Sequence, residues 1–231
     1  YEIQLGDWSS DVCSSDLRTK KRFLAVGLAF SLVLATFQPV SAVTDTKGHW
    51  AERIINEAVA NYIMQGSDDG TFKPDKHITR EEFFAAVTNI LTDKPDTGNT
   101  VIKFSDVKEG EWYVPYVKIA VAAGLTSGTG DGAFGIGRNI TREEAAKIVA
   151  GVVYTEGLTG AGYLAAKDAD KVSSWAIKGV DIMYKKGYIK GDESGNFNPQ
   201  GLLTRAAAAK ILLEVKKHEN VIPAGDRKSV V

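Results

Sequence analysis

A Trp and a Thr-Arg pair recur three times in this chain at a constant distance. Trp50 precedes Thr79-Arg80, Trp112 precedes Thr141-Arg142 and Trp175 precedes Thr204-Arg205, each Trp-to-Thr interval being 29 residues by subtraction. Between these marks Gly66, Gly128 and Gly191 each fall 16 residues after their Trp, and Phe72, Phe134 and Phe197 each fall 22 after it. Spacing held through otherwise divergent sequence describes one module copied three times. Such modules are supersecondary units that bury their apolar faces against one another rather than alone.

The two ends belong to other categories. Residues 1–17 contain Asp7-Trp-Ser-Ser-Asp-Val-Cys-Ser-Ser-Asp-Leu17, which resembles a reading frame of a common sequencing adapter, and residues 226–231 resemble the facing adapter. Both are set aside as expected artefact; on that expectation Cys13 is foreign and the natural chain continues past Gly225. Residues 18–42 form a basic start, Arg18-Thr-Lys-Lys-Arg22, an uncharged run from Phe23 to Phe37, and small residues at Val40 and Ala42. That run is shorter than the ~20 residues of a membrane span, so the segment reads as a secretory signal peptide cleaved after Ala42, with no membrane association expected afterwards.

The remaining chain has no cysteine, so an exported protein of this kind depends on its apolar core rather than on disulfides. Over the whole sequence 28 basic residues face 29 acidic ones. No basic field for a polyanion results, and nucleic acid is excluded as an expected partner.

Each module shows two helical stripes. In the first copy Ala51, Ile54, Ile55, Ala58, Val59 and Tyr62 lie at spacings of three and four, repeated by Tyr116, Val117, Ala120 and Val121 and by Ile177, Val180, Asp181 and Tyr184. A Gly-rich bend follows: Gln65 to Thr71, Ser127 to Ala133, Lys190 to Asn196. A second helix then begins at the Thr. Thr79 with Glu82, and Thr141 with Glu144, have the spacing of a capping box, in which hydroxyl and carboxylate each satisfy a backbone N–H of the helix start. The fold class is therefore all-α, three tandem helix-bend-helix modules at residues 43–92, 104–155 and 167–217, joined by linkers around 92–100 and 155–166.

Gly48-His-Trp-Ala51, Ile63-Met-Gln-Gly66, Asp69-Gly-Thr-Phe-Lys-Pro74 and Ile78-Thr-Arg-Glu-Glu82 together closely resemble the S-layer homology (SLH) module. Phe104-Ser-Asp-Val107 is similar to the opening motif of that family, with Asp168-Ala-Asp170 as a worn counterpart in the third copy. The resemblance implies a pseudo-threefold bundle with grooves between modules. It also implies secretion and non-covalent anchoring to the bacterial cell wall or S-layer surface. The ligand it implies is secondary cell-wall polysaccharide or a peptidoglycan-linked glycan, often carrying a pyruvate ketal on N-acetylmannosamine. The glycan-binding residues it points to are Trp50, Asp69, Gly70, Arg80, Trp112, Asp131, Gly132, Arg142, Trp175 and Arg205.

Several of these residues have a second role open to them. The three tryptophans either fill the module core or stack on sugar. Asp69 and Asp131 either form turns or bind, and Glu82 and Glu144 either cap their helices or contact ligand. Capping does not require the arginines, each of which sits in the first turn of a helix where anions are favoured; a salt bridge is their alternative. Removing Arg80 or Arg142 is accordingly expected to weaken binding and leave stability intact, with Arg205 mattering less, because the third copy has Ala206-Ala207 and Ser194 where the others carry acids.

No metal or other cofactor is expected. Placing Gly70 or Gly132 at the invariant glycine of a calcium loop puts Lys76 or Arg138 where a bidentate Glu is needed. His49, His77 and His218 lack zinc-ligand spacing. No paired carboxylates, nucleophile elbow or Cys-His set supports catalysis, so the visible chain is read as no enzyme. It is either the anchor of some exported protein or the anchor region of an exported glycan-active enzyme whose catalytic domain lies elsewhere.

Overall fold

The computed structural model describes residues 43–153 and 164–219; the adapter, signal-peptide and residue 226–231 readings, and most of the second linker, lie outside these. Within each copy a helix, a bend and a second helix appear where the periodicity places them. The helices are α1 (Glu52–Ala60), α2 (Arg80–Asn89), α3 (Val114–Ala122), α4 (Arg142–Ala150), α5 (Ile177–Lys185) and α6 (Arg205–His218). There are no strands among the described residues, only isolated bridges.

Capping decides where the second helices begin. The Thr79 hydroxyl accepts from Glu82 N–H while the Glu82 carboxylate accepts from Thr79 N–H, and Thr141 with Glu144 does the same. Thr204 caps α6 from Ala207 N–H alone, since Ala207 has no carboxylate to return the bond. In the first helices the apolar stripe is shorter than its spacing suggests. Ile55, Ala58 and Val59 are buried, but Tyr62 lies beyond α1 at φ 55° and is 62% exposed.

The helices do not pair as the sequence order does. The first helix of each module packs on the second helix of the preceding one: α3 on α2, α5 on α4, and α1 on α6, which closes the ring. At the centre three backbone bonds form a triangle. Ile78 N–H donates to Leu203 C=O (2.9 Å), Leu203 N–H to Ile140 C=O (3.0 Å) and Ile140 N–H to Ile78 C=O (3.1 Å). Each donor finds its acceptor in a different module, so the backbone is satisfied only when all three are present. The side chains of Ile78, Ile140 and Leu203 are buried around this triangle, and the repeated Phe72, Phe134 and Phe197 are fully buried beside it.

Each bend is held by an aspartate from the start of its own module. Asp45 accepts from Phe72 and Lys73 N–H (both 2.7 Å), Asp106 from Phe134, Gly135 and Ile136 N–H (2.7, 2.7 and 2.8 Å), and Asp168 from Phe197 and Asn198 N–H (2.6 and 2.9 Å). The third clamp is thus complete rather than worn. The bend glycines Gly66, Gly128 and Gly191 are there for close approach: a Cβ would meet the carbonyl oxygen of Thr71, Ala133 or Asn196 at 3.0, 2.6 or 2.9 Å.

Gly179 in α5 has a different reason. A Cβ there would lie 2.6 Å from Lys147 Cα, so the glycine sets how closely α5 approaches α4. Ala would gain about 1 kcal/mol of helix propensity but the overpacking costs about 1–3 kcal/mol, and the obstacle is backbone. Gly179→Ala is therefore predicted to lower the melting temperature by a few degrees, read by circular dichroism, although an isolated α5 would prefer alanine.

The aspartate clamps also set the acid limb of stability. Burial alone would raise these carboxyls, but the backbone N–H donors outweigh it and hold Asp45, Asp106 and Asp168 below the ordinary aspartate value. A depressed folded pKa contributes stability above the unfolded value near 4 and loses it as pH falls through the folded one. The melting temperature is predicted to be flat near neutrality and to drop below about pH 4. Asp106→Asn should lower it at neutral pH and flatten the acid slope, measured by thermal melts across pH.

Candidate functional site

Between the modules the second helix of one copy, the bend of the next and the tryptophan of the third come together. The best-defined groove, of about 610 Å³, is lined by Arg80 from the first module, Thr129, Asp131, Arg138, Glu144 and Lys147 from the second, and Trp175 from the third. This groove therefore draws on all three modules, because α5, which follows Trp175, packs on α4 of the module before it.

The arginines form the floors. Arg80 Nε donates to Phe134 C=O (2.7 Å), Arg142 Nε to Phe197 C=O (2.8 Å) and Arg205 Nε to Phe72 C=O (2.7 Å), so each reaches the bend of the following module and the third returns to the first. The Nη2 groups add bonds to the Thr126 hydroxyl (3.3 Å), Lys190 C=O (2.8 Å) and Gln65 C=O (2.8 Å). Each guanidinium also lies over the buried Phe of that bend, at 5.4, 5.0 and 4.7 Å. Burial lowers the pKa of all three, with neighbouring carboxylates opposing it, and an arginine stays charged regardless.

This geometry corrects the expectation that the arginines are dispensable for folding. Arg80 is 5% exposed and Arg205 8% exposed, and each carries bonds between modules. Removing one leaves buried carbonyls of the next module unsatisfied, which costs stability. What remains for a ligand is the Nη1 side of each guanidinium. The salt-bridge alternative holds for two of them: Arg80 Nη1 lies 3.7 Å from Glu144 and Arg205 Nη1 lies 3.5 Å from Glu82.

The tryptophans resolve the other way. Trp50, Trp112 and Trp175 are 61%, 54% and 50% exposed, so none fills the core. Lys147 lies 5.5 Å over the Trp175 ring and Lys210 5.9 Å over Trp50. The position equivalent to these lysines in the first module is Ala85, and Trp112 instead neighbours Tyr113 and Tyr116 at 5.7 and 6.2 Å.

Asp69 and Asp131 have defined turn roles: their carboxylates accept from Thr71 N–H (3.0 Å) and Ala133 N–H (3.1 Å). The Thr71 hydroxyl and Lys73 help hold Asp69 down to about 2. Gly70 and Gly132 complete these turns at φ 75° and 84°, where a side chain is disfavoured. In the third bend Asp192 does this work, accepting from Asn196 N–H (2.9 Å), which makes good the Ser194 substitution.

Two sets of residues escaped the sequence reading. Glu81 accepts from Gly137 N–H (3.0 Å) and Glu143 from Ser173 N–H and hydroxyl (2.9 and 2.8 Å), each again one module onward. The clamp at Asp45 was missed because its spacing drifts. From Asp45, Asp106 and Asp168 to the repeated Phe the intervals are 27, 28 and 29 residues by subtraction, so a search at fixed distance does not align them.

Comparison with known proteins gives the same grouping. Exoglucanase XynX of Acetivibrio thermocellus is 34% identical over 181 residues, covering 76% of this chain and 16% of that protein. The surface-layer 125 kDa protein of Lysinibacillus sphaericus is 28% identical over 91% of this chain and 18% of its own length. The cellulosome-anchoring protein of Acetivibrio thermocellus is 30% identical over 65% of this chain and 34% of its own. The chain thus spans between 16% and 34% of the length of each of these relatives. The S-layer homology domain matches residues 44–84, 103–146 and 167–209, one match per module and more than half the chain in all, and this chain belongs to that family.

Proposed function

We infer that the chain is a non-covalent wall anchor. Behind a signal peptide at residues 18–42, the three modules hold an exported bacterial protein at the cell surface by binding secondary cell-wall polysaccharide, with a pyruvylated sugar as the charged element recognised. The observation that carries this reading is the composition of the groove. A charged guanidinium, held by the Phe134 carbonyl and the Thr126 hydroxyl of the next module, forms its floor, and a half-exposed tryptophan from the third module forms its wall. A fixed cation beside an aromatic plane suits a carboxylate-bearing sugar: the ring stacks, and the carboxylate meets the cation through charge-assisted hydrogen bonds.

A second reading concerns what is anchored. Among the relatives are an exoglucanase and an amylopullulanase, of which this chain spans 16% and 10%. These proportions suit an anchor region attached to a glycan-active catalytic domain outside the present sequence. Among the described residues no helix is long and apolar enough to cross a membrane.

Because the tryptophans are exposed, they separate binding from folding. Trp175→Ala is predicted to weaken binding to isolated, pyruvylated walls by roughly threefold to tenfold while leaving the melting temperature unchanged. Removing the ketal from the wall should weaken the wild-type protein as well, measured by co-sedimentation with treated and untreated walls. Full binding by Trp175→Ala and by a Trp50→Ala/Trp175→Ala pair would contradict the groove as the ligand site.

A further inference from the structure

The turns that present the three tryptophans are held in different ways. Trp175 lies within a turn closed by Ala176 N–H donating to Ser173 C=O (2.8 Å). The other polar groups of Ser173 go to Glu143 of the module before, its N–H to Oε2 (2.9 Å) and its hydroxyl to Oε1 (2.8 Å). Glu143 is 4% exposed, so the turn is tied to a carboxylate fixed inside the molecule. One helical turn further along α4, Lys147 stands over the Trp175 ring, and its Cα meets the close approach of α5 at Gly179. Residues 143 and 147 share a face of α4. That face grips the chain two residues before Trp175 and seats α5 four residues after it.

The other two tryptophans lack this grip. At Trp50, Ala51 N–H donates to His49 Nδ1 (3.1 Å) and Gly48 N–H to Glu52 (2.8 Å), all within the first module. At Trp112 the chain turns through Val114 N–H donating to Glu111 C=O (3.1 Å). Among the described residues no side chain of another module bonds either turn. The sequence accounts for the difference. The position of Glu143 is Ala206 on α6, which has no acceptor to offer, and Glu81 on α2, whose carboxylate is taken by Gly137 N–H (3.0 Å). The position of Gly179 is Ile54 in α1 and Tyr116 in α3.

We propose that Glu143 is a positioning residue of the binding groove, holding the Trp175 ring as a wall above Arg80 before any ligand arrives. This rests on the wall-glycan reading above. Trp175, Lys147 and Arg80 line the groove and Glu143 does not, so Glu143 acts through the tryptophan. A wall already held in one orientation spares the complex the loss of side-chain and loop freedom that a mobile wall incurs on binding. The groove walled by Trp175 is thereby pre-organised, whereas those walled by Trp50 and Trp112 order their turns when the ligand binds.

The test compares Glu143→Ala with Glu143→Gln in the full chain. The amide removes the charge but keeps both contacts, its oxygen accepting from Ser173 N–H and its NH2 donating to the Ser173 hydroxyl. Fluorine NMR of protein labelled with fluorotryptophan reads the ring directly, with the Trp175 resonance assigned by its loss in Trp175→Phe. Glu143→Ala should shift and narrow the Trp175 signal while those of Trp50 and Trp112 stay in place, and Glu143→Gln should leave all three unchanged. In co-sedimentation with pyruvylated walls, Glu143→Ala should bind roughly threefold more weakly, the scale of one side chain freed before binding, and Glu143→Gln like wild type. Glu143→Ala/Trp175→Ala should bind no more weakly than Trp175→Ala, because both changes act through one ring. An unchanged Trp175 signal in Glu143→Ala, a shift of all three signals, or losses that multiply in the double variant overturns the positioning role and leaves the anchor reading standing. Full wall binding by Trp175→Ala overturns the groove reading instead, and the fluorine signal still decides whether Glu143 holds the ring.

Discussion

The bond from each module's arginine to the phenylalanine carbonyl of the next module is the contact on which the arrangement depends. It runs from Arg80 to Phe134, from Arg142 to Phe197 and from Arg205 back to Phe72. A guanidinium can do this because it carries several donors in one plane: Nε and Nη2 hold the bend while Nη1 still faces the groove. The phenylalanine below contributes an apolar seat for the flat face of the same group. With the central triangle of Ile78, Ile140 and Leu203, these contacts tie every module to both others. No module satisfies its own backbone or buries its own first helix, so the unit of folding is the ring.

The same constraint makes the grooves. Since a first helix packs on the second helix of the preceding module, its tryptophan arrives at the edge of a groove whose floor and bend come from two other copies. The groove residues are thereby placed by the contacts that hold the modules together. Floor and wall differ in consequence: an arginine substitution perturbs fold and groove together, whereas a tryptophan substitution alters the groove wall alone.

Much of this was legible in the sequence, and what was not has physical reasons. Fixed intervals between Trp, Gly, Phe and Thr-Arg report elements whose internal length cannot change, so the helix-bend-helix order and the two capping boxes could be read directly. The loop from the clamp aspartate to the tryptophan tolerates an extra residue in each successive copy, which hid Asp45 and made Asp168 look degraded. The exposure of the tryptophans and the depth of the arginines could not be read, because both follow from which module sits next to which. A repeat interval carries no information about ring closure. Ala207 illustrates the point: as sequence it is a lost acid in the third copy, and only the ring shows that, among the described residues, the arginine without a glutamate beside it is the second module's Arg142.

Hydrogen exchange at the central triangle tests this account most directly. If the ring is the folding unit, the amides of Ile78, Ile140 and Leu203 open only when all three modules separate, and native-state exchange followed by mass spectrometry or NMR should give them one common protection free energy equal to that of global unfolding. Three different protection levels, with one module's amide exchanging while the other two stay closed, would show that the modules fold independently and that the cross-module arginines do not hold the structure together.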